Sequence, residues 1–456
     1  MQTLIKGGWV LTLDDAYREW PAGYVAINGD RITAVGPLKD CSPELEAAAD
    51  IVLDTRGQAV LPGLVNAHSH LFQTFMRGLA DAKPLWNWLK EEIWPFSLAM
   101  TEEDFYLAAL VGCLENLKNG ATSVIDMHYI HTSKANDDLV FEAMQASGIR
   151  GTFCRASADQ NYQPELMEDR LTILAEMERL ARQWHGAAGG RLTLAFGALN
   201  PWGCSPELIR AGAKQAREMG LKLQVHVAET QAVARTTIDT YGQRNVEWLA
   251  DLGFLGPDTQ LVHCVWLDEG EMDLAAQAGA TLVHCPVANM YLASGAAPVR
   301  RWLDRGLNVA LATDGPGSNN SQDMLEVLKF TACLQKVTTL NAMVLYPRDV
   351  LTMAVRGGAR ALGREDLGVL APGMKADIVT VALQRPHVGP VHRAESALVY
   401  NANGNDVVNV LVDGRLVVRD HRATLVDEEE IMARAQARVN TLRQKLGKQG
   451  GGNDWI

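Results

Sequence analysis

At residues 61–70 the chain reads LPGLVNAHSH, and this segment indicates the fold. An apolar run precedes it, so its two histidines, His68 and His70, are expected at the end of a short β-strand. Side chains two positions apart on a strand point to the same face, so both imidazoles would reach one spot. Imidazoles are common ligands of a borderline divalent cation, and the segment therefore predicts a metal site at a strand end.

Other candidate site residues also close apolar, strand-like runs. His226 ends the run LKLQVH, His263 ends LVH, and Asp314 ends LNVALATD. Glu229 follows His226 by three residues, which places it just beyond the same strand. These residues are far apart in the sequence but share one position relative to their strands, so we expect them to converge in a parallel α/β fold.

Strand-like runs alternate with helical segments across residues 60–366, and eight such repeats favour an α/β fold of the (β/α)8 TIM-barrel type over a doubly wound sheet. Short strand-like runs fill residues 1–59 and 367–425, with a hairpin signal at Asn28-Gly29-Asp30. We therefore predict a barrel over 60–366 and a small β-sandwich domain formed by both chain ends. Residues 426–456 are predicted to form a C-terminal helix and a mobile tail.

Active sites of such barrels lie at the carboxyl ends of the strands, where all these candidates are expected. The predicted metal ligands are His68, His70, His226 and Asp314. Three neutral imidazoles and one carboxylate suit one divalent cation and leave room for water. Such a cation lowers the pKa of its water to near neutrality, which makes hydroxide available for attack.

The predicted catalytic residues are Glu229, His263 and Asp314. Glu229 could donate a proton without ligating the metal; its alternative role is a solvated loop carboxylate. His263 could accept or orient a proton of the attacking water, or polarise the substrate, and its alternative role is a core histidine. Asp314 could both hold the metal and take a proton. The implied reaction adds hydroxide to an electrophilic carbon and expels a protonated leaving group.

The composition excludes several other functions. The chain has 42 basic and 54 acidic residues, a net charge of −12, which argues against nucleic-acid and anionic-membrane partners. No run of about 18 apolar residues and no signal peptide is found, so no membrane span is expected. The 7 cysteines are scattered singly, which is typical of reduced thiols in the cytoplasm.

The chain resembles the amidohydrolase superfamily, in its mononuclear, cytosine deaminase-like branch. The segments that carry the resemblance cover nearly the whole chain. They are PGLVNAHSH at 62–70, HVAET at 226–230, VHC at 262–264, CPVANM at 285–290, TDG at 313–315 and GVLAPGMKAD at 368–377. The resemblance implies one Zn²⁺, or sometimes Fe²⁺, per subunit on the ligands named above. It also implies that Glu229 protonates a ring nitrogen of the substrate while His263 and Asp314 handle the water.

Two groups within this branch are similar to different parts of the chain. The segments MRGLAD at 76–81 and IWP at 93–95 resemble methylthioadenosine/S-adenosylhomocysteine deaminases. Those enzymes carry a glutamate that grips the ribose where this chain has Ser97, and a histidine where it has Leu199. Losing each polar contact would cost about 1–3 kcal/mol, which argues against a nucleoside substrate.

The second group contains melamine deaminase and atrazine chlorohydrolase, which HSHLFQ at 68–73 and NMYLASG at 289–295 resemble. Gln73 could pair with ring nitrogens or with a neighbouring backbone group, and a tryptophan could stack on a ring or pack in the core. The triazine enzymes carry Asn or Asp where this chain has Gly315, which puts their chemistry in doubt. The predicted substrate contacts are Gln73, Trp86, Trp88, Asn289 and Ser318.

These observations predict a metal-dependent hydrolytic deaminase of a planar N-heteroaromatic ring, either an amino-s-triazine or a guanine- or pterin-like free base. The alternatives are a deaminase of methylthioadenosine, S-adenosylhomocysteine or another adenosine, and a triazine chlorohydrolase. A hydrolase of amide or hydantoin rings and a metal-binding barrel without catalysis are less favoured. The partner is predicted to be a small molecule, and the enzyme a cytoplasmic homodimer.

Overall fold

The computed structural model describes residues 1–79 and 81–447. Its centre is an eight-stranded parallel sheet in which each strand pairs with the next along the chain. The strands are Leu64–Ser69, Ala121–His128, Arg150–Ser157, Leu192–Ala198, Lys222–Val227, Thr259–His263, Thr281–His284 and Asn308–Leu311. Several are buried at every position, as strands covered on both faces must be. The predicted TIM barrel is confirmed.

The eighth strand returns to the first and nearly closes the barrel. The Asp314 N–H donates to the His68 carbonyl oxygen over 3.1 Å, and the Asn66 side chain accepts from the Thr313 N–H over 3.0 Å. The eighth strand ends at Leu311, three residues before Asp314, whereas the sequence predicted that Asp314 ends it. Asp314 therefore lies on a tight connection between strand and helix.

Helices surround the barrel and connect its strands. The longer ones are Glu102–Lys118, Lys134–Ser147, Arg170–Trp184, Pro206–Glu218, Gln231–Tyr241, Asn245–Asp251, Glu269–Ala278, Met324–Thr339, Ala394–Tyr400 and Glu428–Lys445. Shorter helical segments are Leu38–Asp40, Pro43–Ala48, Leu71–Met76, Leu85–Trp88, Leu89–Ile93, Trp94–Ala99, Pro164–Leu166, Ala187–Gly190, Pro286–Tyr291, Val299–Asp304, Pro316–Asn319, Pro347–Thr352, Met353–Gly357, Gly358–Ala361 and Gly404–Asp406. Side chains cap several amino termini; Asp169, for example, accepts from the Thr172 N–H over 3.1 Å.

The chain ends form two further sheets outside the barrel, the first from the amino-terminal end alone and the second from both ends, as predicted for the β domain. A four-stranded sheet has the order Arg31–Pro37, Gly23–Asn28, Gln2–Lys6, Ile51–Asp54. A seven-stranded sheet has the order Arg422–Ala423, Arg415–Arg419, Val407–Val412, Ile378–Ala382, Gln58–Pro62, Trp9–Leu11, Glu19–Trp20. The strands Gln58–Pro62 and Ile378–Ala382 pair antiparallel and so join the two ends of the chain. The exact domain limits stay predictions.

A buried ion-pair network fixes these sheets to the amino-terminal end of the barrel. Arg150, which begins the third barrel strand, donates to both carboxylate oxygens of Asp377 over 2.9 Å and to Asp413 over 2.6 Å. This end of a TIM barrel serves stability rather than catalysis.

The C-terminal helix Glu428–Lys445 packs against Glu102–Lys118 through Arg438, which donates to Asp104 over 2.7 Å. The predicted tail beyond residue 447 lies outside the described residues. Within residues 1–79 and 81–447, no helix is both long and apolar enough to cross a bilayer.

Candidate metal centre and active site

Three histidines and one aspartate meet at the carboxyl mouth of the barrel. The Nε2 atoms of His68 and His226 lie 3.2 Å apart. Asp314 Oδ1 lies 3.4 Å from His68 Nε2 and 3.3 Å from His70 Nε2. The structure therefore brings together all four residues that the sequence singled out as ligands.

The opposite ring nitrogens orient these imidazoles. The Nδ1 atom of His68 faces Gln224 Oε1 at 2.8 Å, that of His70 faces the Met127 carbonyl oxygen at 2.6 Å, and that of His226 faces the Leu199 carbonyl oxygen at 2.6 Å. Because every partner is an acceptor, each Nδ1 carries the proton and each Nε2 keeps its lone pair. Acceptors behind the ligating rings are typical of histidine metal sites, so the donor set fits a divalent cation.

A second cluster of possible ligands, His128, His131 and Asp137, has a different character. Both ring nitrogens of His131 are engaged, Nδ1 with Asp137 over 2.7 Å and Nε2 with the Ala156 carbonyl oxygen over 2.8 Å. Arg155 donates to the other carboxylate oxygen of Asp137 over 2.8 Å. A cation here would meet the Arg155 charge, so these groups form a structural ion-pair network.

Non-glycine residues with a left-handed backbone occur at the mouth of the barrel as well as elsewhere in the described chain. Ala228, His263, Cys264 and Asp314 have φ values of +45°, +70°, +53° and +64°, in the left-handed region that non-glycine residues rarely adopt. Such residues cost of order 1–3 kcal/mol each and cluster at functional sites. Two of the four residues at the mouth, His263 and Asp314, are candidate catalytic residues.

Asp314 is held as a carboxylate by its neighbours. Burial alone would raise its pKa, but His68 and His70 hold the pKa of Asp314 well below its usual value. Oδ1 also accepts from the Gly315 N–H over 2.7 Å, and Oδ2 accepts from the Ser318 hydroxyl over 3.0 Å. Ser318 thus fixes the carboxylate plane.

Glu229 and His263 face each other beside this cluster. Glu229 Oε2 lies 3.9 Å from His263 Nε2, and Oε1 accepts from the Ser294 hydroxyl over 3.3 Å. Burial, together with the Asp314 charge, raises the pKa of Glu229 to about 8. Burial lowers the pKa of His263, whose Nδ1 lies 3.0 Å from Asn289 Oδ1. At neutral pH the pair is therefore a carboxylic acid beside a neutral imidazole, which is suited to proton transfer.

A cavity of about 560 Å³, part of which is open to solvent, lies beside these groups. Aromatic and aliphatic side chains form most of its wall, and no lysine or arginine is among them. The wall consists of His70, Leu85, Trp88, Leu89, Tyr129, Tyr162, Leu199, Asn200, Trp202, His226, Glu229, Val233, His263, Leu292, Asp314 and Ser318.

Of the five predicted substrate contacts, only Trp88 and Ser318 line this cavity; Gln73, Trp86 and Asn289 do not. The Gln73 Nε2 donates to the Tyr129 hydroxyl over 2.7 Å, and its Oε1 accepts from the Gly317 N–H over 3.2 Å. Gln73 is therefore engaged with the protein, the alternative that the sequence left open.

Trp86 and Asn289 are likewise engaged with other residues. The Trp86 ring packs against Trp202 at 4.6 Å between centroids, and Lys90 lies 5.5 Å from the ring centroid. Asn289 is fully buried; its Oδ1 lies 3.0 Å from His263 Nδ1, while its Nδ2 has no hydrogen-bond partner among the described residues. Neither contact can be predicted from strand or helix spacing alone, because each joins two different elements of the fold.

Several wall residues were not predicted from the sequence. Tyr129 directly follows the second barrel strand, Tyr162 follows the third, and Asn200 and Trp202 follow the fourth. Their shared position after a barrel strand is the signal that could have identified them. The other missed residues are aliphatic, and nothing in the sequence distinguishes them from core residues.

A parallel barrel with a histidine-rich candidate centre at its carboxyl mouth is typical of metal-dependent hydrolases. The model of the Amidohydrolase family matches residues 59–417, and the chain belongs to this family. The predicted superfamily is thus confirmed, and the protein is an amidohydrolase.

Curated relatives are similar over nearly their whole length. The 5'-deoxyadenosine deaminase of Methanosarcina mazei is 39% identical over 96% of this chain and 99% of its own. The 5-methylthioadenosine/S-adenosylhomocysteine deaminase of Pelotomaculum thermopropionicum is 37% identical over 96% of this chain and 98% of its own. Both names describe deaminases, which agrees with the enzyme class predicted from the sequence.

Solved structures show the same fold. An adenosine deaminase of Xanthomonas campestris with bound zinc is 28% identical, with a TM-score of 0.90 over 97% of this chain and 98% of its own. The atrazine chlorohydrolase of Arthrobacter aurescens TC1, complexed with zinc, is 29% identical, with a TM-score of 0.91 over 96% of this chain and 100% of its own. Both groups that the sequence resembled are therefore represented.

Proposed function

We propose that this protein is a hydrolytic deaminase of adenosine-type nucleosides, in which water replaces the exocyclic amine and ammonia is released. The full-length similarity to 5'-deoxyadenosine deaminases carries the proposal. It reverses the order of the sequence-based candidates, which placed an amino-triazine or a free base first and an adenosine-type substrate second.

The candidate ligand set supports one Zn²⁺ per subunit, with Fe²⁺ as the alternative because both ions accept these donors. The proposed ligands are His68, His70, His226 and Asp314. A divalent cation bound there would act as a Lewis acid and make water a competent nucleophile at neutral pH. Zinc in two structures of the same fold favours this ion.

The proposed proton transfers follow from the geometry. Glu229, protonated near neutral pH, donates to the ring nitrogen beside the amino-bearing carbon as the water oxygen adds to that carbon. Asp314 accepts the water proton, and His263 orients the water from the other side. The proton held by Asp314 then passes to the amine, the carbon–nitrogen bond breaks, and ammonia leaves. The proton of the new hydroxyl returns to Glu229, which leaves a neutral carbonyl product and restores the acid.

The cavity wall has hydrogen-bonding groups even though Ser97 and Leu199 stand at the two positions where the resemblance implied polar contacts to a nucleoside. Leu199 contributes its carbonyl oxygen to His226, and the adjacent Asn200 lines the cavity. Asn200 Oδ1 accepts from the Gly203 N–H over 2.7 Å, which directs the other atom of the amide, the Nδ2 donor, elsewhere. We propose that this donor serves a purine ring nitrogen in place of the absent histidine.

The uncharged wall favours nucleosides with a neutral 5' group. No cationic side chain of the cavity wall could pair with the carboxylate of S-adenosylhomocysteine. We therefore propose 5'-deoxyadenosine and 5'-methylthioadenosine as better substrates than S-adenosylhomocysteine, because burying an unpaired charge is costly.

A deaminase of amino-triazines or free bases is the second candidate. The aromatic wall, with Trp88 and Trp202, and the similarity in fold to the triazine enzyme favour it. The test below also covers hydrolysis of the carbon–chlorine bond of atrazine, which would release chloride.

The test is ammonia release from metal-loaded enzyme on a panel of 5'-deoxyadenosine, 5'-methylthioadenosine, S-adenosylhomocysteine, adenine, guanine and melamine, with chloride release from atrazine. We expect the two neutral nucleosides to have the highest kcat/KM. A free base or melamine that outpaces them would favour the second candidate. Absence of ammonia from every compound would overturn both.

We also propose a cytoplasmic homodimer. All seven cysteines lack disulfide partners, which agrees with a reducing compartment. The side chains of Phe330, Val337 and Leu340, on and after the helix Met324–Thr339, are exposed and could form a subunit contact. Light scattering at several concentrations tests the oligomeric state, and fractionation of the source cell tests the location.

A further inference from the structure

One corner of the site holds buried polar atoms without hydrogen-bond partners. Within the described residues, the Tyr162 hydroxyl, the Trp94 indole nitrogen and the Ser97 hydroxyl have no hydrogen bond of normal geometry, although Trp94 lies near enough to the phenol to oppose in part the rise in its pKa that burial causes. An unpaired buried polar group costs about 1–3 kcal/mol, so such atoms require an explanation. Because three such atoms lie in two neighbouring segments, we expect a bound molecule to supply hydrogen bonds there.

Of the three residues, Tyr162 forms part of the cavity wall. It is 8% exposed, and it lies on the loop after the third barrel strand, at the same mouth as the candidate metal ligands. The Trp94 ring meets the Tyr162 ring edge-on at 4.8 Å between centroids. Trp202, on the loop after the fourth strand, lies 5.7 Å from Tyr162 on another side.

The chemistry of this corner matches a hydroxyl-bearing ligand. Burial raises the pKa of Tyr162, so its phenol stays neutral and can both donate and accept a hydrogen bond. The indole of Trp94 can donate. Among the described residues, only the candidate metal ligands, His263 and Glu229 bring ionisable groups other than the tyrosines to the cavity wall, so an ionic sugar substituent would find no counter-charge near Tyr162.

We infer that Tyr162, supported by Trp94, is a specificity-determining residue that hydrogen-bonds the sugar hydroxyls of the nucleoside. This inference rests on the proposed nucleoside deaminase function. The base lies over the proton-transfer pair Glu229 and His263, and the sugar extends toward Tyr162, where its hydroxyls satisfy the unpaired phenol.

Tyr162→Phe tests the inference because it removes only the hydroxyl. Tyr241→Phe is the matched control, since Tyr241 lies outside the cavity wall and its hydroxyl has only a long contact of 3.5 Å with Gln160. The substrates are 5'-deoxyadenosine, which has the 2' and 3' hydroxyls, and 2',3',5'-trideoxyadenosine, which has neither and the same 5' methyl group. Deamination kinetics and equilibrium binding are measured for each variant, and the thermal unfolding midpoint reports on folding.

We expect Tyr162→Phe to lower kcat/KM for 5'-deoxyadenosine about tenfold, mainly through KM, and to change kcat/KM for 2',3',5'-trideoxyadenosine less than twofold. Tyr241→Phe should change neither. An equal loss for both substrates would assign Tyr162 a packing role and overturn the inference, as would no loss for either.

The activity of the wild-type protein distinguishes failure of the proposed hydroxyl contact from failure of the proposed deaminase function. If it deaminates both nucleosides equally well, the hydroxyl subsite is wrong and the nucleoside deaminase stands. If it deaminates neither, the proposed function fails and the inference fails with it.

Discussion

The Nδ1 atom of His226 lies 2.6 Å from the carbonyl oxygen of Leu199. A main-chain atom at position 199 therefore orients a candidate metal ligand, whatever side chain stands there. The Leu199 side chain lines the cavity, whereas its carbonyl oxygen orients a candidate ligand.

This relationship predicts different outcomes for two acceptors of the ligating histidines. Gln224→Leu removes the side-chain acceptor of His68 Nδ1, so we expect metal affinity to fall about 10–100-fold. Leu199→Ala, the control, keeps the carbonyl acceptor of His226 and should retain the metal. Metal content after dialysis against graded chelator measures both. Equal metal loss in the two variants would contradict this account.

Glu229→Gln is expected to retain the metal and lose most of its turnover, about 10²–10⁴-fold, because an amide of the same shape cannot donate the proton. His68→Ala should lose both metal and activity. Metal analysis beside kcat distinguishes the two. A Glu229→Gln protein without metal would instead make Glu229 a ligand.

The rate should also depend on the protonation of Glu229. Burial and the Asp314 charge raise its pKa to about 8, and a proton donor works only below its pKa. A bound cation lowers the pKa of a neighbouring carboxyl, so we expect kcat to fall as the pH rises through a value at or below about 8. A kcat that stays constant from pH 6 to pH 9 would exclude Glu229 as the donor.

Gly315 is explained by its packing against Gln73. A Cβ atom at position 315 would lie 2.0 Å from Gln73 Oε1, so Gly315→Ala should displace Gln73 and lower both activity and stability, the latter by about 1–3 kcal/mol. Gln73→Ala frees this space, so the double variant should be less impaired than the sum of the single variants. A double-mutant cycle on the unfolding midpoint measures the coupling, and strict additivity would refute the clash.

Docking of the C-terminal helix should depend on pH. Burial by itself would raise the pKa of Asp104, but hydrogen bonds from Arg438 and Thr101 hold it below its usual value. A carboxyl with a lowered folded-state pKa stabilises the fold above its unfolded pKa, near 4, and this stabilisation is lost as the pH falls through the folded pKa.

Arg438→Gln should therefore lower the free energy of unfolding by about 1–3 kcal/mol at pH 7 and by less in acid. Arg434→Gln is the matched control, because its ion pair with Glu103 is exposed and worth about 0–1 kcal/mol. Thermal unfolding midpoints at pH 7 and pH 3 measure both. Equal shifts for the two variants would contradict a specific role for Asp104.

The sequence alone was sufficient for the barrel, the sheets from both chain ends and the four converging candidate ligands. These features follow from local patterns: strand periodicity places His68 and His70 on one face, and the parallel fold gathers strand ends at one mouth. The sequence motifs were likewise sufficient to predict the family, and the net charge was sufficient to argue against anionic partners.

Only the tertiary structure decided which polar side chains are free for a ligand. Gln73 is engaged with Tyr129 and Gly317, whereas within the described residues the Asn289 amide nitrogen and the Tyr162 hydroxyl have no hydrogen bond of normal geometry. Such pairings join residues on different elements, and they depend on how those elements pack rather than on spacing along the chain. For that reason the convergence of the candidate ligands could be predicted from the sequence, and the substrate wall could not.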